Sequence, residues 1–118
     1  MRHHKKNRKL HRVKRQRVAL LRSLARSLVL EEGITTSISK AKELRPYIER
    51  IITESKKNSI SSRRLIAARL GASGSAVQKL HETLRERFAK RSGGYTRIVR
   101  LGRVGKREME SARIELVK

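Results

Sequence analysis

None of the ten acidic residues of this chain precedes Glu31, whereas residues 2 to 26 carry eleven Lys and Arg: Arg2, Lys5, Lys6, Arg8, Lys9, Arg12, Lys14, Arg15, Arg17, Arg22 and Arg26. A segment of that kind repels itself and stays solvated unless something neutralises it. A phosphate backbone does so, because each phosphate met by a Lys or Arg releases condensed counterions. The whole chain shares the bias, with 32 Lys and Arg against 10 acids and a net charge of +22. Its pI near 11.8 is the footprint of a nucleic-acid-binding domain.

The length supports one domain, and a domain of this size buries only about two thirds of the surface its unfolded chain exposes. Leu, Ile, Val and Phe make up 30 of 118 residues, enough for a modest core beside a solvated arm. Residues 1–10 are expected to be a disordered basic arm and residues 11–118 a single compact domain. Without Cys the chain can form neither disulfides nor thiolate metal sites, which fits a reducing compartment. No run approaches the 18 or so apolar residues that cross a bilayer. The Arg-rich start shares its composition with transit peptides and its amphipathicity with membrane-surface helices. Both are set aside, because the segment continues into a helix with a packing face, Trp is absent, and the single Phe lies far off at Phe88.

Arg8, Arg12, Arg15, Arg22 and Arg26 recur at steps of four, three, seven and four and share one helical face, while Val18, Leu21, Ala25 and Leu28 line another. One face can bind while the other packs. Glu31-Glu32-Gly33 should end this helix, and Ile34 to Ile38 alternates as a short strand does. Ser39 reads as the N-cap of a second helix. There Leu44, Ile48, Ile51 and Ile52 keep one apolar face, and Pro46 predicts a kink or restart near Arg45. A third helix is expected from Ser62 to Leu70, stopping at Gly71. Ser75 and Gln78 form a capping box for a fourth, with Val77, Leu80, Leu84 and Phe88 as its core stripe and Ser92-Gly93-Gly94 at its end. Tyr95 to Leu101 and Ala112 to Leu116 read as strands. The class is α+β, with about four helices packed on one face of a small three-stranded sheet. The pattern leaves the strand order open.

The best single site in the sequence is Arg91-Ser92-Gly93-Gly94-Tyr95-Thr96-Arg97. Two glycines clear side chains from a place where a phosphate backbone must come close. Tyr95 can stack on an unpaired base or a ribose, and Arg91 and Arg97 can fork onto phosphates. The competing reading is a helix C-cap followed by an edge strand with Tyr95 in the core. It uses only one of the two glycines, so recognition is kept beside it. Arg100, Arg103, Lys106 and Arg107 either extend the basic surface or are solvated charges.

His3, His4 and His11 are expected at phosphates or in solvent, since neighbouring cations oppose a divalent ion and no carboxylate or thiolate is close in sequence. His81 is expected on a helix surface. No metal, cofactor or small-molecule substrate is implied. The chain contains no Asp, and its Glu residues are dispersed, so neither a carboxylate dyad nor a metal-dependent nuclease centre can be assembled. Glu43, Glu49 and Glu54 should instead pair along the helix with Lys40, Arg45 or Arg50. An enzyme is not expected.

Met1-Arg2-His3, Ser27-Leu28-Val29, Thr35-Thr36, Lys40-Ala41-Lys42-Glu43-Leu44-Arg45, Gly93-Gly94-Tyr95-Thr96-Arg97-Ile98 and Ile114-Glu115-Leu116-Val117 together resemble the bacterial large-subunit ribosomal protein seventeen family, in order along the whole chain. The resemblance implies an α+β structural protein of the large subunit that binds 23S ribosomal RNA near the mouth of the nascent-chain exit tunnel. It also implies neighbouring large-subunit proteins as partners, no self-association, and a bacterial cytoplasmic ribosome, favoured over an organelle because the first motif starts at Met1. The expected RNA-binding residues are Arg2, His3, His4, Lys5, Lys6, Arg8, Lys9, Arg12, Arg15, Arg22, Arg26, Lys40, Lys42, Arg91, Gly93, Gly94, Tyr95, Thr96, Arg97, Arg100 and Arg103. The chain departs from the family between Gly102 and Ile114, where Lys106-Arg107-Glu108-Met109-Glu110-Ser111 replaces a Gly-Asp turn and an Ala-Pro-Met run. On charge alone, an architectural DNA-binding protein is the alternative, although no zipper or apolar wedge arm accompanies it.

Overall fold

An 18-residue amphipathic segment opens the fold as α1 (Lys14–Glu31). The computed structural model describes residues 10, 12–71, 74–103 and 110–118, so the expected arm up to Lys9, with His3, His4 and Arg8, lies outside the described residues. Lys106, Arg107 and most of the departing loop lie outside them too. Arg12 precedes the helix, whose N-cap is Val13, and the expected cationic face therefore reduces to Arg15, Arg22 and Arg26. Ala25, Leu28 and Val29 are buried and Leu21 is partly so, but Val18 is exposed because it lies a turn or more before the core begins. The helix closes at Glu32, whose left-handed φ of 64° lets its N–H reach the Leu28 carbonyl at 2.8 Å.

Strand β1 (Gly33–Ser37) follows at once. It ends one residue earlier than the alternation suggested, and Ser37 rather than Ser39 caps α2 (Ile38–Ser55), accepting from the Lys40 N–H at 3.3 Å. Pro46 neither restarts nor ends α2, which runs on as one helix. Leu44 on one side of Pro46 and Ile48, Ile51 and Ile52 on the other are all buried. The apolar burial on both sides outweighs the one hydrogen bond that proline removes. Helix α3 (Ile60–Arg69) starts earlier than expected because Ser59 caps it, accepting from Ser62 N–H at 3.1 Å. Ser62 is buried instead, its hydroxyl donating to the Glu54 carbonyl. Gly71, at φ +72°, ends the helix as foreseen.

The fourth helix is built of three consecutive pieces: α4 (Gly74–Lys79), a π-helical turn (Leu80–Leu84) and α5 (Arg85–Arg87). Ser75 lies inside it and is not its cap. Ala76, Leu80, Leu84 and Phe88 are the buried stripe, with Val77 only partly covered. A strict four-residue spacing drifts about 40° per step on an α-helix of 3.6 residues per turn. The wider π turn counters that drift and keeps Leu84 and Phe88 on the core side.

Strands β2 (Thr96–Arg103) and β3 (Glu110–Leu116) complete an antiparallel sheet of order β1-β3-β2. Ile34, Ile114 and Ile98 stand side by side across it, as do Thr35, Arg113 and Val99. Because side chains alternate, the first row turns inward and the second faces solvent. Ala112, Ile114 and Leu116 are buried against the helices. The Leu116 N–H bonds the Glu32 carbonyl at 3.0 Å and the Val117 N–H bonds the Tyr95 carbonyl at 2.9 Å, which ties the end of β3 to both neighbours. The fold is α+β, with four helices and a three-stranded sheet among the described residues.

Candidate nucleic-acid interface

Cations on this fold divide into those that a carboxylate holds and those that none holds. On α1, Lys14 and Arg15 are exposed, and Arg17, Arg22 and Arg26 are half-buried. No carboxylate pairs with any of them among the described residues. Arg12 and Arg17 are held only by carbonyls, Arg12 Nη1 donating to Leu10 O at 2.8 Å and Arg17 Nη1 to Arg12 O at 3.4 Å. Lys40 is half-buried and Lys42 exposed in the first turns of α2.

A second group lies on and beside the sheet. Arg97 meets Glu115 through Nε at 2.9 Å and again through Nη2, and Arg113 Nε reaches the other oxygen of the same carboxylate at 3.3 Å. The hydrogen bond from Arg97, then that from Arg113, holds the Glu115 carboxyl below its ordinary pKa. Arg100 pairs with Glu110 at 3.2 Å, and Arg103 is exposed at the end of β2. Among the acids expected to pair along α2, Glu49 meets Arg45 at 3.5 Å as foreseen, whereas Glu54 turns to Lys57 at 3.3 Å.

The glycine-tyrosine segment is a mixed case. Gly94 takes φ +64° and so needs glycine, while a Cβ on either Gly93 or Gly94 would meet open space, which leaves room for a backbone to approach. Arg91 is exposed. Tyr95 and Thr96, both expected among the RNA-binding residues, are buried, which is the core placement that the competing reading gave Tyr95. The Tyr95 ring lies 5.1 Å from that of Phe88 and 4.6 Å from Lys56 Nζ. Its hydroxyl donates to the Arg91 carbonyl at 3.3 Å and lies 3.2 Å from Thr53 Oγ1. The Thr96 hydroxyl donates to Glu49 at 2.8 Å. The segment needs a large apolar side chain to pin β2 to α2, and tyrosine meets that need, leaving no ring face for a base.

Two further groups take their surroundings from the fold: Glu32, which the sequence marked only at a helix end, and His81, which it placed on a helix surface. Glu32 joins the end of α1 to the fourth helix, accepting from Lys79 Nζ at 3.1 Å and from Arg87. The Arg87 hydrogen bond is the largest influence holding its carboxyl below the ordinary range, with burial opposing and Lys79 assisting. His81 is half-buried, with neither ring nitrogen partnered. Burial, then the charges of Arg63 and Arg85, holds its pKa below the usual histidine value. Among the described residues, no group of three or more His, Cys, Asp or Glu is placed to hold a metal ion, and no helix is long and apolar enough to cross a membrane.

Residues 20–117 match the sequence model of ribosomal protein L17. The chain belongs to the ribosomal protein L17 family. The large ribosomal subunit protein bL17 of Novosphingobium aromaticivorans is 50% identical over 117 residues, which cover 99% of this chain and 82% of that protein. The bL17 of Gemmatimonas aurantiaca is 46% identical over 99% of this chain and 98% of its own length. That of a Hydrogenobaculum species is 52% identical over 86% of this chain and 85% of its own. The L17 family is one of structural ribosomal proteins and not of enzymes.

Proposed function

We propose that this chain is a structural constituent of the large ribosomal subunit that binds 23S ribosomal RNA near the nascent-chain exit tunnel. The observation that carries the RNA-binding part is the set of α1 cations that no carboxylate neutralises among the described residues, on a chain whose relatives are named large-subunit proteins. The tunnel placement rests on the family resemblance. In this reading Arg12, Arg15, Arg22, Arg26, Lys40 and Lys42 make the primary contact. Arg91, Gly93, Gly94, Arg97, Arg100 and Arg103 make a second. Residues 1–10, with Arg2, His3, His4, Lys5, Lys6, Arg8 and Lys9, serve as a basic arm ahead of the domain of residues 11–118. Neighbouring large-subunit proteins are the other partners, self-association has no role, and the site of action is the ribosome of a bacterial cytoplasm.

Two measurements test this. Tagged protein should sediment with large subunits. If 6 to 10 phosphates are neutralised, affinity for 23S rRNA should fall by roughly 10³ to 10⁵ between 50 and 200 mM salt. A flat salt response would show that the basic faces are not the contact surface. Equal affinity and salt response with duplex DNA would favour an architectural DNA-binding protein.

A further inference from the structure

We propose that Arg22 and Arg26, laid over the turn at Gly71, clamp one phosphodiester group of the bound RNA backbone, with the Tyr47 hydroxyl holding the end of α3 beneath them and the charge of Arg69 beside them. This rests on the RNA-binding reading above. It adds Tyr47 and Arg69, which the sequence did not single out, and gives a second role to Gly71, which the sequence marked only as a helix end.

Residues 22 and 26 are one turn apart on α1 and project from the same face. Both lie against the turn that ends α3: a Cβ on Gly71 would sit 2.8 Å from Arg22 Cδ and against Arg26 Nη1. The stem of Arg22 and the guanidinium of Arg26 therefore meet over the same glycine. Two like charges one helical turn apart repel, and no carboxylate among the described residues pairs with Arg22, Arg26 or Arg69. Arg22 is half-buried and its Nε–H has no acceptor. Arg26 commits a single N–H, from Nη1 to the Leu70 carbonyl at 3.3 Å. A guanidinium has five donors in a fork that matches phosphate oxygens, so most of this donor capacity is unspent.

Tyr47 sets the limits of the site. Its hydroxyl donates to the Arg69 carbonyl at 2.6 Å, which holds the last turn of α3 against α2. Burial raises the pKa of that hydroxyl, while the charges of Arg22 and Arg69 and a hydrogen bond from Arg22 act to lower it. Burial prevails and the phenol stays neutral, so it cannot serve as the counter-charge. An anion from outside removes the repulsion and supplies the missing acceptors together. A purely structural role, with Arg26 capping the C-terminal carbonyls of α3 and Arg22 bonding the Tyr47 hydroxyl, leaves the Arg22 Nε–H without an acceptor and the two charges without a counter-charge.

The test uses the full chain, in vitro transcribed 23S rRNA in filter binding at 50 to 200 mM salt, and thermal melts with and without inorganic phosphate. Arg22→Gln and Arg26→Gln should each bind rRNA roughly five- to tenfold more weakly at 100 mM salt and lower the salt slope by about one. The double variant should lose little more than either single variant, because both side chains serve one phosphate. Inorganic phosphate should raise the wild-type melting temperature more than that of the double variant. Arg22→Lys, which keeps the charge, should retain the slope with reduced affinity, and Lys57→Gln should match wild type. If the Gln variants melt lower yet keep wild-type affinity and slope, the arginines are helix braces and the inference fails while RNA binding stands. If wild-type protein does not bind 23S rRNA, both the inference and the proposed function fail.

Discussion

Replacing Tyr95 with Phe separates packing from recognition at the segment that the sequence most favoured as a contact. The phenylalanine keeps the ring against Phe88 and removes only the hydroxyl, whose two partners stand at 3.2 and 3.3 Å, long for O–H···O bonds. Neither partner is orphaned. Thr53 is exposed and can turn to water, and the Arg91 carbonyl keeps the ammonium of Lys56. The loss therefore belongs at the low end for net hydrogen bonds, about 0.5 to 1 kcal/mol. In a domain of this size that lowers the melting temperature by roughly 2 to 8 °C. Affinity for 23S rRNA should not change. Tyr95→Ala, which empties the ring's place, should cost about 3 to 5 kcal/mol. Melts followed by circular dichroism, set beside filter-binding titrations, check both. A Phe variant with wild-type stability but severalfold weaker rRNA binding would refute the core placement.

Gly71→Ala forces an L side chain to φ +72° and into Arg22 and Arg26; urea unfolding should show a loss of about 1 to 2 kcal/mol. Ile114→Ala, at the centre of the inward face of the sheet, should cost about 2 to 5 kcal/mol by the same measurement. The Glu32 carboxyl titrates lower in the fold than in the unfolded chain. Its contribution is therefore present above pH of about 4.5 and lost as pH falls through the lowered folded value. With the Glu32 side chain 38% exposed, solvent screening limits this to less than about 1 kcal/mol. Urea melts from pH 7 to pH 3 should show that Glu32→Gln is the less acid-sensitive protein.

Where one local rule decides, the sequence was readable. The apolar periodicity of Leu44, Ile48, Ile51 and Ile52 placed the core face of α2, the alternation of Ala112, Ile114 and Leu116 placed β3, and Gly71 marked the end of α3. It misled where two rules compete. Pro46 breaks helices locally but is overruled by burial on both sides. Ser37, Ser39, Ser59, Ser62 and Ser75 are all plausible caps, and tertiary placement alone selects Ser37 and Ser59. A glycine-flanked tyrosine reads equally well as a stacking platform or a core residue. The packing of Phe88 and the donor to the Arg91 carbonyl decide the matter, and both depend on contacts between elements. The same holds for the Arg22, Tyr47 and Gly71 grouping, whose members come from three helical regions that no spacing connects.

Charge, which dominated the sequence, acquires direction from the fold. Among the described residues, the cations seen paired with carboxylates, Arg45, Lys57, Lys79, Arg87, Arg97, Arg100 and Arg113, lie from α2 onward. A phosphate approaching Arg97 or Arg113 meets Glu115 between them and must share or displace it. Exposed pairs of this kind are worth only about 0 to 1 kcal/mol, so displacement is feasible, but the carboxylate left behind repels the same phosphate. The α1 cations face no such exchange, because none of them pairs with a carboxylate among the described residues. If the chain binds RNA as proposed, an equal number of arginines should therefore yield more affinity per contact on α1 than on the sheet. In the proposed RNA-binding reading, the unpaired cations of α1 would govern binding strength, and the paired arginines of the sheet would adjust register once the RNA is held.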